Sequence, residues 1–196
     1  MAGAVYDGGD MDRTELANRA LMLLGELEYT GGTPHQAACD AFIKPALLEL
    51  LAQYDWSFAR KRKALVDVGE GWRLPDDCLR IVELHGLRNW RKYGRLIQPE
   101  RGAVVEAAYV ECVYTSNEMA LTGELPDEVQ PEFTQAVVLV LASKLAVPVR
   151  NDAGLMVQLD REARMWLERA ATHDIQQDNS NDQDPLGRVL GMQVIR

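Results

Sequence analysis

The sequence predicts a mainly α protein: a four-helix bundle-like domain, a small antiparallel β-sheet subdomain inserted between its helical halves, and an extended C-terminal tail. Three observations lead there. Apolar residues recur at helical spacing over 12–54 and 129–172. Between 63 and 125 the texture changes to β-branched and aromatic runs broken by Gly and Pro. After His173 apolar side chains nearly vanish, and they return only from Leu186 onward. The expected divisions are an arm at 1–11, a helical domain over 12–62 and 126–173, an inserted β-rich subdomain over 63–125, and a docking tail over 174–196.

The arm is small, Gly-rich and polar. Asp12 followed by Glu15 reads as a helix start, because a side-chain acceptor satisfies an orphan amide of the first turn. Leu16, Ala20, Leu23, Leu24 and Leu27 carry that helix to about Glu26. Gly31-Gly32 interrupts the chain, and Thr33-Pro34-His35-Gln36 starts a second helix, with Pro at its first position. That helix is expected to run to about Tyr54, with Ala38, Phe42, Leu48 and Leu51 inward and a kink at Pro45. Trp72 to Asp77 reads as an extended segment entering a turn. Arg80–Gly86, Leu96–Gln98 and Val104–Tyr114 read as strands, and Asn89–Gly94 as a turn or hairpin tip. A third long helix follows Pro126–Gln130 and reaches about Val147. It is apolar on all sides, which suits a helix central in its domain or buried between subunits. Asn151 can cap a fourth, whose stripe is Leu155, Leu159, Ala163, Trp166, Leu167 and Ala170, ending near Thr172.

The chain of 196 residues carries a formal charge of -9, unevenly placed. Residues 60–101 hold eleven bases and six acids, +5; the remainder holds ten bases and twenty-four acids, -14. A net acidic chain is a poor free binder of DNA, because affinity for phosphates comes from counterion release onto bases. A basic patch on an acidic body suits an acidic protein partner or self-assembly between unlike faces. The first residues lack a signal-peptide pattern, and the longest apolar run, Ala136–Val149, is too short to span a bilayer. Cys39, Cys78 and Cys112 form no CxxC and read as core thiols in a reducing compartment.

The sequence holds no GxGxxG, no GxxxxGK[ST] and no GxSxG. His35, His85 and His173 are too scattered for a metal site, and Asp76-Asp77 reads as a turn after Pro75. The expectation is therefore no catalysis, no cofactor and no metal. Trp90, Arg91, Lys92, Tyr93 and Arg95 mix aromatics with bases, the residue types that anchor protein interfaces or stack on single-stranded nucleic acid; the acidic body favours a protein. Leu186, Val189, Leu190, Met192, Val194 and Ile195, at the end of a polar tether, read as a peptide docking on another chain, a partner or a neighbouring subunit.

Four stretches together resemble a known family. They are Leu16-Ala17-Asn18-Arg19-Ala20-Leu21 with Leu24-Gly25-Glu26; Leu50-Leu51 followed by Trp56-Ser57-Phe58-Ala59-Arg60-Lys61-Arg62; Trp72-Arg73-Leu74-Pro75-Asp76-Asp77-Cys78-Leu79-Arg80-Ile81; and Pro131-Glu132-Phe133 leading to Lys144-Leu145-Ala146. In this order they resemble the head-to-tail adaptors of short-tailed bacteriophages, the tail tubular protein A type. The resemblance implies a ring, of twelve copies, made in the host cytoplasm and placed at the head–tail junction of the virion. Its partners would be itself, the portal protein, the tail nozzle protein and DNA passing through the channel without sequence-specific binding; no membrane is implied. Trp56, Phe58, Leu74, Pro75 and Asp77 are then structural, the aromatics wedging helix against sheet and Leu74-Pro75-Asp77 setting a turn. The competing readings are a nucleic-acid-binding module built on 60–101 and a tail-borne cell-wall hydrolase.

Overall fold

The computed structural model describes residues 11–26, 34–105 and 109–182. Among these residues five helices and seven strands follow in the order α1 (Arg13–Leu23), α2 (Pro34–Gln53), β1 (Arg60–Ala64), β2 (Val66–Asp67), β3 (Trp72–Arg73), β4 (Cys78–His85), β5 (Leu87–Tyr93), β6 (Leu96–Val105), β7 (Glu111–Ser116), α3 (Glu118–Thr122), α4 (Pro131–Arg150) and α5 (Ala153–Asp182). A 3-10 turn, Ser57–Ala59, joins α2 to β1.

This corrects the predicted fold class. Among the described residues helix accounts for 54% and strand for 26%, in two antiparallel sheets of three and four strands, so the fold is mixed α/β and not a mainly α bundle with a small sheet. The extra strand content lies where polar residues hide it. Arg60–Ala64, of which 60–62 were expected in the helical half, is β1 and pairs along its length with β7. Leu87–Tyr93, expected in part as a turn, is a strand paired with β6. Backbone pairing holds these segments, and their charged side chains face solvent, so hydrophobic pattern alone does not reveal them.

The strand orders are β1-β7-β4 and β2-β3-β6-β5. Entry strand β1 and exit strand β7 are neighbours, so the subdomain leaves and rejoins the helical layer at one place. Leu65, Leu74, Leu87, Ile97, Val110, Cys112 and Tyr114 form its own small core between the sheets.

The helical layer is organised by α4. From Phe133 to Ala146 it is buried on almost every residue, with α1, α2 and α5 packed around it. By length and composition Pro131–Arg150 passes for a membrane span, yet its apolar side chains form the protein core. Asp12 caps α1 as its spacing predicts, accepting from the Glu15 amide at 2.8 Å. The inward face of α2 differs from expectation by one position: Cys39, Ile43, Ala46, Leu47, Leu50 and Leu51 are buried, while Ala38, Phe42 and Leu48 only flank them. Asn151 does not cap α5. It ends α4 in the left-handed region at φ 52°, and Asp152 takes the cap, accepting from the Leu155 amide at 2.8 Å.

Helix α5 also continues ten residues past Thr172, to Asp182. The expected extended tail from residue 174 therefore begins as helix. The physical reason is that the buried stripe Leu159, Ala163, Leu167, Ala170, Ala171 is continued by a polar residue, Asp174, which apolar periodicity cannot register.

Candidate functional site

Of the residues singled out in the sequence, Trp56, Phe58 and Asp77 lie at the joint between the helical layer and the β-subdomain. The chain leaves α2 through Trp56, which is fully buried. Its indole Nε1 donates to the Leu50 carbonyl at 3.0 Å, satisfying an acceptor in the last turns of α2. Phe58 stacks on Trp56 at 5.4 Å between ring centroids, and Phe133 of α4 meets both edge-on, at 4.8 and 4.9 Å. The three rings tie the end of α2, the 3-10 turn and the start of α4 into one node.

Asp77 forms the second joint. Its carboxylate accepts from the Tyr114 hydroxyl at 3.0 and 3.2 Å, from Ser116 Oγ at 2.9 Å and from Lys61 Nζ at 3.4 Å. Lys61 also donates to Glu118 at the start of α3, and the Asn117 amide donates to the Asp77 carbonyl at 2.8 Å. One carboxylate thus links β1, β4, β7 and α3. Burial pushes its pKa up, but the Ser116 and Tyr114 hydroxyls, the backbone and Lys61 outweigh that and hold it below the usual carboxylate range. Leu74 and Pro75, both buried, fix the preceding turn, with the Cys78 amide donating to the Pro75 carbonyl at 3.0 Å.

A folded-state pKa below the unfolded one stabilises the fold above the unfolded value, about 3.9, and that contribution is lost as pH falls through the folded pKa. Asp77→Asn should therefore cost about 1–2 kcal/mol at neutral pH, the worth of its charge-assisted bonds. The gap to the wild type should close as pH drops below about 4. Denaturant melts of both proteins across that range test this; a gap independent of pH would refute the role of the charge.

The basic segment is less open than its sequence suggests. Trp90 packs on the subdomain core. Arg95 sits in the two-residue turn that closes the β5–β6 hairpin, donates through Nη2 to the Pro75 carbonyl and lies 3.6 Å from Asp76. Leu74 N–H donates to the Arg95 carbonyl at 2.9 Å. The hairpin turn is thereby bound to the Leu74-Pro75 turn. Arg91 pairs with Glu100 at 2.7 Å. Lys92 and Tyr93 are exposed, Tyr93 at 52%. A thiol–thiol hydrogen bond from Cys112, aided by Lys92 and Arg95 against the effect of burial, lowers the Cys78 pKa. β5 is an edge strand of its sheet, and its exposed Arg88, Arg91 and Lys92 also guard that edge against pairing with another chain.

Sequence reasoning missed one constellation. Asp174, only 4% exposed, accepts from the Ser57 amide at 2.9 Å, from Ser57 Oγ at 2.6 Å and from Gln130 Nε2 at 3.2 Å. Gln130 Nε2 also donates to Gln177 at 3.2 Å. This network clasps α5 to the 3-10 turn and to the residue preceding α4. The available signal was positional: Asp174 stands three residues after buried Ala171, on the same helix face.

Leu186, Val189, Leu190, Met192, Val194 and Ile195 lie outside the described residues. Among the described residues no group of three His, Cys, Asp or Glu side chains is placed to hold a metal ion. Each histidine lies beside a glutamate of its own locality: His35 near Glu26 at 3.8 Å, His85 near Glu83 at 3.4 Å, His173 near Glu132 at 3.2 Å. A scan against protein-family models and a search of curated proteins found no match to this chain.

Proposed function

We propose that this protein is a structural head-to-tail connector of a phage virion. It forms a ring, of twelve copies, between the portal and the tail nozzle, and DNA passes through the centre. The observation that carries the reading is the ordered motif set, above all Trp56-Ser57-Phe58-Ala59 followed by Leu74-Pro75-Asp76-Asp77-Cys78-Leu79-Arg80. Both motifs serve as joints here: the first closes the aromatic node, and the second carries the Asp77 clasp. A connector must transmit load between two assemblies, and rigid joints between a helical layer and a sheet subdomain suit that task. The charge distribution supports the same reading. An acidic wall repels DNA and lets it slide, whereas a basic wall would bind it. The protein acts by binding, with no cofactor and no turnover, at the head–tail junction.

Light scattering after size exclusion tests the proposal, using the protein alone and mixed with the portal ring encoded by the same genome. The expected result is a complex in which the added mass is twelve times the chain mass of 21.9 kDa. A protein that elutes unchanged beside the portal ring would overturn the connector reading.

A further inference from the structure

A groove of about 500 Å³ lies between α1, the loop before α4 and α5, with Leu125, Val129, Pro131 and Trp166 among its lining. Met11 forms part of its wall. The same residue is bound antiparallel to Leu125 by two hydrogen bonds, Met11 N–H to the Leu125 carbonyl and Leu125 N–H to the Met11 carbonyl, both 2.9 Å. The chain before Met11 therefore begins at the rim of the groove, in an orientation already set.

We propose that this groove is the docking site of the protein's own N-terminal arm, residues 1–10, with Val5 and Tyr6 covering Trp166. Three features select this occupant. First, the chain opposite the arm turns immediately after Leu125, the Val129 amide donating to the Pro126 carbonyl at 3.0 Å, so the β-pairing begun at Met11 has no strand to extend along and the arm must take another course. Gly8-Gly9 supplies the backbone freedom for that change of direction, directly before the fixed point. Second, the reach is short: Tyr6 and Val5 stand five and six residues from Met11, at most roughly 17–20 Å when extended, which keeps them near the groove that Met11 lines. Third, Val5 and Tyr6 are the one bulky apolar pair between Met1 and Met11, and the groove offers a half-buried indole with Arg169 already over its ring at 5.0 Å. Tethering at Met11 gives the arm an effective concentration of order millimolar, so a weak contact suffices to hold it.

Disulfide trapping in the full chain tests this. Tyr6→Cys combined with Gln135→Cys, a position lining the groove, is oxidised mildly with copper phenanthroline. Tyr6→Cys combined with Val157→Cys, exposed at the other end of α5, serves as the control. The expected result is a cross-link within one chain for the first pair, independent of protein concentration, and little for the second. Equal trapping of both pairs, no trapping, or cross-links only between chains would overturn the proposal, the last by showing a second copy in the groove. Tyr6→Asp should speed amide exchange of Asp127–Val129 about tenfold while the unfolding midpoint stays unchanged; unchanged exchange would count against the proposal equally.

Discussion

Trp56→Ala is expected to lower stability by about 3–5 kcal/mol, the range for removing a large buried aromatic. The loss has three sources. The indole is fully buried, so its deletion leaves a cavity among Phe58, Phe133 and the end of α2. The Leu50 carbonyl loses the Nε1–H donor it holds at 3.0 Å. The edge-on and stacked ring contacts, including Tyr54 at 5.3 Å, vanish together. For a chain of this size the melting temperature should fall by about 6–20 °C. Trp56→Phe separates the terms, since it keeps most of the packing and loses the donor; its cost should be well under half that of alanine. A melting shift below about 2 °C for Trp56→Ala would show that the aromatic node does not bear the joint.

Asp174→Ala is expected to cost about 2–4 kcal/mol, because it strands three donors in a buried setting. The Ser57 amide, the Ser57 hydroxyl and one Gln130 amide hydrogen all point at that carboxylate. Asp174→Asn should recover only part of this, since its amide nitrogen brings a donor where acceptors are needed. The two changes can be compared by urea melts alongside Gln177→Ala, which removes only the outer bond to Gln130 and should cost less than about 1 kcal/mol. Equal effects for all three would mean that the clasp is not centred on Asp174. The clasp also sets where the C-terminal segment can be trimmed. Removing 183–196 spares Asp174, whereas removing 174–196 cuts the clasp and should destabilise the helical layer itself.

Much of the helical layer is legible in the sequence because its elements are amphipathic or wholly apolar. α1 begins at its capping residue, α2 begins at Pro34, and α4 is central, as its all-round apolar composition demands. The inserted subdomain is legible as a change of texture, but its strand content is not. β1 is Arg-Lys-Arg-Lys-Ala, and only pairing with β7 makes it a strand. β5 carries Arg88, Arg91 and Lys92 on an edge, where charge protects the ladder instead of revealing it. Position in the sequence also made Trp90–Arg95 look like a free tip. In the fold Trp90 is packed and Arg95 is tied to Pro75, while Arg91, Lys92 and Tyr93 stay exposed.

By itself the sequence determined where apolar surface must be buried, where helices start, and which motif residues stand together in order along the chain. Those are local properties, set by side-chain chemistry and by spacing of about 3.6 residues per turn. Only the tertiary structure decided which polar residues become hubs, partly buried at Asp77 and fully buried at Asp174. Asp77 reads as a turn residue and Asp174 as part of a polar tail, yet each gathers partners from segments tens of residues away: Tyr114 and Ser116 for the first, Ser57 and Gln130 for the second. A buried carboxylate is stable only where several donors meet, and nothing local in a linear chain records such a meeting.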